Sequence, residues 1–170
     1  MLDRTTDARG HTLTELLVMF GIVAIVAGGA VPAFSNLLLD GRMNAAITTA
    51  VHAVNLARQF SAVRSESIQL CGSDDQRECS GRADWSSGLL LTADGEGLSR
   101  SLPLAGGARV PRIRSNRATV NFEGGSGFAT PATLTVCDRR GTRAARAVII
   151  SRSGRPRISS RDGSDRALAC

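Results

Sequence analysis

Apolar residues form one continuous stretch near the N-terminus of this 170-residue chain. Residues 16–34 are 19 consecutive positions without a charged side chain, and Glu15 stands immediately before them. At about 1.5 Å of rise per residue, a helix of that length spans about 28 Å, close to the hydrocarbon thickness of a bilayer. The stretch therefore predicts a helix that can cross a membrane.

The helical pattern continues beyond this stretch in an amphipathic form. Apolar side chains recur there at steps of three and four: Met43, Ile47, Ala50, Val54 and Ala57. Polar residues occupy the other faces, as in a helix that lies against a core. One long helix is predicted from about residue 12 to residue 64. Its first half, 11–35, would lie in a membrane or filament core, and its second half, 36–66, on a globular head.

From residue 67 the pattern changes to short runs of alternating apolar and polar residues, separated by Gly, Asp and Pro. Eight runs are strand candidates: 68–71, 88–92, 98–102, 110–114, 119–122, 133–137, 147–151 and 156–159. Asp94-Gly95 and Ser153-Gly154 are turn signals. A long helix followed only by strands predicts an α+β fold. In this fold residues 67–170 form a head of one or two mostly antiparallel sheets, which pack on the helix.

A small residue and a short polar leader precede the apolar stretch. Residues 10–15 read Gly-His-Thr-Leu-Thr-Glu and run directly into Leu16 and Leu17. In a secretory signal the cleavage site follows the apolar region, whereas cleavage after Gly10 would keep it. The motif resembles the prepilin signal of type IV pilins and type II secretion pseudopilins, and Pro32 stands where pilins often carry a proline.

The resemblance implies a processing and assembly route. Residues 1–10 would be a leader that a prepilin peptidase removes after Gly10. His11, in place of the usual Phe, would become the methylated N-terminal residue. Glu15 would pair with the new N-terminal amine when subunits assemble with other pilins. Before assembly the chain would cross the inner membrane once, among its lipids, with the head in the periplasm. The alternative is a plain membrane-anchored domain without a filament.

The head resembles the GspH/FimT family of minor pilins and pseudopilins, which implies a type IV pilin-like fold. The matching segments are Leu-Cys-Gly-Ser at 70–73, Asp-Trp-Ser-Ser-Gly-Leu-Leu at 84–90, Thr-Leu-Thr-Val-Cys at 133–137, Val-Ile-Ile-Ser at 148–151 and Gly-Arg-Pro-Arg at 154–157. In FimT-like members a Gly-Arg-x-Arg motif near the C-terminus is linked to DNA binding during natural transformation. The resemblance therefore implies DNA as a partner of Gly154, Arg155 and Arg157.

Charge is distributed unevenly along the chain, and all 21 basic residues are arginine. Residues 1–107 have a net charge of −3, whereas residues 108–170 carry thirteen arginines against four acids and have a net charge of +9. Such an asymmetry indicates an anionic partner, for which nucleic acid, lipid headgroups and acidic proteins are candidates. The alternative is a set of solvated surface arginines.

Local geometry is compatible with phosphate binding. In an extended segment Arg155 and Arg157 point to one side, about 7 Å apart, and guanidinium groups fit phosphate oxygens. Other arginines that would extend the patch are Arg112, Arg114, Arg139, Arg140, Arg143, Arg146 and Arg152. We identify no aromatic platform among these arginines, so we expect phosphate contacts indifferent to sequence and little base stacking. The alternative function is a structural or priming minor pilin, or a type II secretion pseudopilin.

Cysteine spacing favours disulfides over a metal site. The chain has four cysteines and no CxxC pair among them: Cys71, Cys79, Cys137 and Cys170. The two histidines, His11 and His52, lie in the helical region, so the sequence does not offer the closely grouped ligands of a zinc site. Three pairings are possible, and we favour Cys71–Cys79 and Cys137–Cys170, in keeping with an oxidising periplasm. No cofactor motif and no catalytic constellation is found, so the sequence does not predict an enzyme.

Overall fold

The computed structural model describes residues 10, 12–93, 99–104 and 111–170. The predicted leader before Gly10, the predicted N-terminal residue His11 and the turn signal Asp94-Gly95 lie outside the described residues. The described residues form two compact units, which divide between Leu38 and Leu39.

One helix, α1, spans Leu13–Arg64, as the hydrophobic pattern predicts. The hydroxyl oxygen of Thr12 accepts a hydrogen bond from the backbone N–H of Glu15 at 3.3 Å, which satisfies one free donor of the first turn. Ser65 follows the last helical residue with a φ of 55°, a left-handed conformation that commonly terminates helices.

The first unit consists of the apolar part of α1. An 18-residue window of α1 has a mean hydropathy of 2.4, and none of that window is buried. Large apolar side chains along it are solvent-exposed, with Ile25 at 79% and Phe20 at 69%. A contiguous apolar surface of this kind marks a site that lipid or protein covers. By length and composition this helix can cross a membrane.

The second unit begins at Leu39 and contains the amphipathic part of α1. The buried apolar side chains of this part are Leu39, Met43, Ala46, Ile47, Ala50, Ala53, Val54 and Ala57. Their steps of three and four confirm the predicted apolar stripe. Alanines at four of these positions let the sheets approach the helix closely.

Among the described residues eight strands follow the helix, and each overlaps its predicted candidate. They are β1 Ile68–Gly72, β2 Leu89–Ala93, β3 Ser99–Leu102, β4 Arg112–Ser115, β5 Thr119–Phe122, β6 Ala132–Cys137, β7 Arg146–Ile150 and β8 Pro156–Ser159. The first sheet has the order β3-β2-β1-β5 and the second the order β4-β6-β7-β8. All strand pairs are antiparallel, which confirms the α+β prediction.

The main core contains residues of the helix and of both sheets. Trp85 is its largest fully buried side chain, and its indole N–H donates to the carbonyl oxygen of Arg82 at 3.2 Å. A Cβ on residue 72 would overlap the Trp85 ring, so Gly72 is required for this packing. Burial of an aromatic ring of this size contributes about 3 kcal/mol or more.

A smaller cluster lies on the other side of the second sheet and holds the C-terminal segment. Leu168 packs there with Ala145, Ala147, Ile149 and Cys137. The Cys137–Cys170 disulfide, with a Cα–Cα distance of 5.9 Å, joins the last residue to β6. The other bridge is Cys71–Cys79, so the structure contains the two disulfides that we favour from the sequence.

Candidate functional site

The second sheet has one face on the core and one outer face. Ile113, Val136 and Val148 point to the core, where all three are fully buried. Cross-strand partners share a face. The register Arg114↔Thr135↔Ala147↔Ser159 therefore places these four side chains on the outer face.

The Gly-Arg-Pro-Arg motif lies at the β7–β8 hairpin. Arg157 pairs with Ile149 on the outer face, whereas Ile158 pairs with Val148 on the core side. Arg155 lies two positions before Arg157, at the end of the turn and next to the first residue of β8. Both arginines are exposed.

The hairpin turn is held by a local hydrogen-bond network centred on Ser151. The backbone N–H of Ser151 donates to the carbonyl oxygen of Arg155 at 3.1 Å, and the N–H of Gly154 donates to the carbonyl of Ser151 at 2.9 Å. The Ser151 hydroxyl also accepts the N–H of Arg155 at 3.3 Å. The backbone that carries Arg152 and Arg155 is therefore fixed in one conformation.

The turn also packs on the loop between β5 and β6 and on the helix. The N–H of Ala129 donates to the carbonyl oxygen of Arg152 at 2.8 Å. Gly154 has a φ of +70° and is buried, and the methylene groups of Arg58 pack against it. Arg58 therefore adds a cation beside the turn. The sequence does not predict this, because only the fold brings α1 to the hairpin.

The arginines of the turn have no carboxylate partner within the described part of the chain. Arg152, Arg155 and Arg157 are exposed and make no ion pair there. In contrast, Arg161 pairs with Asp165 at 3.8 Å and Arg166 with Asp162 at 2.9 Å. Full positive charge is therefore available at the turn.

Arg112 and Arg114 lie on the exposed side of β4, at the opposite edge of the second sheet. The backbones of Asp84 and Arg114 pair in an isolated antiparallel β-bridge, which brings the Asp84 carboxylate near this edge. The hydrogen bond from the Ser86 hydroxyl, and then the charges of Arg112 and Arg114, hold the pKa of Asp84 below its usual value. The carboxylate therefore offsets part of the positive charge at this edge.

The remaining predicted arginines lie away from the turn. Arg143 ends a short 3-10 helix, and Arg146 begins β7 and pairs with Val136, on the core side of the sheet. Arg140 contacts Asp40 of α1 and Asp138, each at 2.7 Å. Arg140 is therefore a structural ion-pair residue, and the structure separates this cluster from Arg155 and Arg157.

The outer face carries an open groove of about 840 Å³ between the sheet and the C-terminal segment. Arg114, Arg157 and Arg166 line it together with Thr133 and Thr135. Arg114 and Arg157 lie three strands apart and two residues out of register, about 16 Å between Cα atoms. The groove therefore connects the two arginine edges of the sheet. The sequence does not predict that Arg166 lines this groove, because only the fold brings the C-terminal segment to the outer face of the sheet.

An exposed phenylalanine lies next to the β7–β8 turn. Phe128 is 49% exposed, and its two neighbours contact the turn: Gly127 packs on Gly154, and Ala129 bonds Arg152. The fold therefore brings an exposed aromatic side chain beside these arginines, which is not expected from the sequence. The loop that carries Phe128 is distant in sequence and close in space.

No grouping of three or more His, Cys, Asp or Glu side chains suited to a metal ion is found among the described residues. The acidic residues of the Cys71–Cys79 loop are engaged locally: Asp75 accepts hydrogen bonds from the N–H groups of Arg77 and Glu78, which lower its pKa. His52 is exposed on α1.

Comparison with known proteins identifies the family. The family model described as type II transport protein GspH matches residues 46–154. No curated protein sequence matches the chain significantly.

Two crystal structures of the type IV minor pilin FimU from Pseudomonas aeruginosa are similar to the chain. One is 18% identical, covers 74% of this chain and 90% of FimU, and has a TM-score of 0.52. The other is 20% identical, covers 68% and 90%, and has a TM-score of 0.49. The first of these supports a type IV pilin fold. With the family match over more than half of its length, this chain belongs to the GspH family of minor type IV pilins and pseudopilins.

Proposed function

We propose that the chain is a minor pilin that binds extracellular DNA through the β7–β8 arginine turn and supports DNA uptake in natural transformation. We define the arginine turn as Arg152, Gly154, Arg155 and Arg157. The single observation that carries the proposal is that its three arginines are exposed on an ordered turn without a carboxylate partner in the described chain.

Phosphate oxygens are the chemical target that fits this turn best. Arg155 and Arg157 are two residues apart, which in extended backbone is about 7 Å, so two guanidinium groups can hold successive phosphates. Arg58 and the groove arginine Arg114 extend the positive surface. Backbone contacts of this kind position a protein on DNA without reading its sequence. We therefore infer binding that is indifferent to sequence.

The rest of the chain supplies anchorage and assembly in this proposal. Removal of residues 1–10 by a prepilin peptidase would leave His11 as a methylated N-terminus and the apolar half of α1 as an inner-membrane anchor. With the head in the periplasm, the subunit would then join other pilins, and Glu15 would pair with an N-terminal amine. The exposed apolar side chains of the first unit support burial in lipid first and in a filament core later.

The test compares two double variants of the full chain in a neutral detergent. Arg155→Ala with Arg157→Ala removes two charges from the arginine turn. Arg77→Ala with Arg100→Ala removes two exposed charges elsewhere, from the Cys71–Cys79 loop and from β3. We expect the first to weaken binding of a short fluorescent duplex at least about tenfold at low salt, and the second to remain within about twofold of wild type.

Equal losses in the two double variants would remove the arginine turn from the proposal. No duplex binding by the wild-type chain at low salt would favour the second candidate, a structural or priming subunit of a type IV pilus or a type II secretion pseudopilus. The exposed apolar part of α1 favours assembly in either case. No catalytic activity is assigned to the chain.

A further inference from the structure

We propose that Phe128 is a stacking platform for an unpaired base, which gives the arginine turn a preference for single-stranded over duplex DNA. This inference rests on the proposed function and adds to it the form of DNA that is bound. It begins from the placement of Phe128 between two residues that both contact the turn, Gly127 and Ala129.

The distance between Phe128 and the arginines follows from the backbone contacts. The hydrogen bond from Ala129 to Arg152 places these two backbones about 5 Å apart, the spacing of neighbouring strands. Phe128 is one residue from Ala129. A nucleotide whose phosphate meets Arg152 or Arg155 therefore has its base within reach of the Phe128 ring.

The ring is directed outwards and available. Ala129 is buried at 6% exposure, so the alternating Phe128 side chain points to solvent, where it is 49% exposed. The cation–π contact of the described chain is Arg64 over Phe60 at 5.6 Å, and the Phe128 ring has no such contact there. Its face is therefore not covered by an arginine.

The loop that holds Phe128 is ordered by its own hydrogen bonds. The carbonyl oxygen of Phe128 accepts the N–H of Glu123 at 2.7 Å, and the N–H of Phe128 donates to the Ser126 hydroxyl at 3.1 Å. Gly125 and Gly127 take φ values of +78° and +66° in the same loop. A ring held by an ordered backbone loses little conformational freedom when a base stacks on it.

Stacking distinguishes the two forms of DNA. Bases in a duplex are already stacked on one another, whereas the bases of a single strand are free to stack on an aromatic side chain. Stacking contributes about 1–3 kcal/mol per base, which corresponds to a change in affinity of about five- to 150-fold. Phosphate contacts to the arginines are available in both forms.

The experiment measures binding of the full chain in detergent to three fluorescent probes: a single strand, its duplex, and an abasic single strand that has phosphates but no bases. Phe128→Ala should weaken single-strand binding at least about fivefold and leave duplex and abasic binding within about twofold. Phe128→Trp should retain single-strand binding, because Trp also stacks. Val63→Ala, which shortens an apolar side chain that is 82% exposed, should change none of the three.

Equal effects of Phe128→Ala on all three probes, or no effect on any, would overturn the inference. The double variant Arg155→Ala with Arg157→Ala distinguishes failure of this inference about Phe128 from failure of the proposed DNA binding by the arginine turn. If that pair weakens abasic and duplex binding while Phe128→Ala weakens neither these nor the single strand, the arginine turn binds phosphate and Phe128 has no role. Thermal unfolding of each variant is the control for the fold. A midpoint equal to that of wild type shows that the variant is folded.

Discussion

Gly154 and Gly127 meet so closely that a Cβ on residue 154 would overlap the carbonyl oxygen of Gly127. This contact joins the β7–β8 turn to the loop that precedes β6, and the methylene groups of Arg58 pack against both glycines. The contact therefore fixes the position of the arginines relative to the rest of the second unit. Gly154 of the Gly-Arg-Pro-Arg motif serves this packing as well as the turn.

Gly154→Ala should destabilise the second unit by about 1–3 kcal/mol, since alanine meets both a positive φ and a backbone overlap. The control is Gly141→Ala, at a φ of +72° but with no atom near the new Cβ. It should cost only about 1 kcal/mol. Urea unfolding of the full chain in detergent measures both. Equal losses would show that the overlap is relieved without cost.

The sequence predicts a strand well where one of its faces is buried and the other is exposed. β4 is an example: Ile113 and Ser115 are buried, while Arg112 and Arg114 are exposed. Such alternation involves only neighbouring residues, so it can be recognised from the sequence alone. The contact of Gly154 with Gly127 is not local, and nothing in the neighbourhood of either residue indicates the other.

Salt dependence should report how many phosphates the arginines contact. With four contacts, from Arg114 and the arginines of the turn, the slope of log K against log salt on duplex DNA should be about −3.6. Arg155→Ala with Arg157→Ala should reduce the slope to about −1.8. Fluorescence anisotropy titrations at a series of salt concentrations measure it. A slope unchanged by the double variant would mean that these two arginines do not contact phosphate.

Loss of the C-terminal disulfide should cost more than loss of the other. Replacing Cys137 and Cys170 by Ser opens a sequence separation of 33, against 8 for Cys71 and Cys79. Loop entropy predicts losses of about 4 and about 2.5 kcal/mol. The C-terminal segment also packs through one buried apolar side chain, Leu168. Urea unfolding of the two double Ser variants decides, and the reverse order would contradict the entropic account.

Charge pairing was the least predictable part of the candidate site. Arg140 and Arg143 are similar in sequence context, but only Arg140 reaches Asp40 on α1. An ion pair across the fold depends on the approach of two elements, so composition alone does not separate a structural arginine from an available one. Arg155 and Arg157 are available because β8 is an edge strand without acidic neighbours in register.

The unfolding free energy should fall in acid through Asp138. Burial raises its pKa, but the hydrogen bonds and charge of Arg140 outweigh burial, so the pKa lies below its usual value of 3.8. A carboxyl with a lowered folded pKa contributes stability that is present above the unfolded pKa and lost as pH falls through the folded pKa. Wild type should therefore lose stability from about pH 4 downwards.

Asp138→Asn should be less stable than wild type at neutral pH and should lose less between about pH 4 and pH 2, because the amide does not titrate. Urea unfolding at several pH values measures both. Thr142→Ala, an exposed position in the same loop, serves as the control and should keep the wild-type pH dependence. If the unfolding free energy of Asp138→Asn fell in acid as steeply as that of wild type, the loss of stability would come from other carboxyl groups.

Glu15→Val should reduce incorporation of the chain into filaments, because the proposed pairing with an N-terminal amine would lose its carboxylate. A carboxylate in the apolar core of a filament is costly to bury, and pairing with the amine would offset that cost. Thr14→Val is the matched control, since it keeps the charge one residue away. Immunoblots of sheared filaments, normalised to the amount of chain in the membrane fraction, measure incorporation. Normal incorporation of Glu15→Val would exclude the pairing and leave the apolar surface of α1 as the feature that drives assembly.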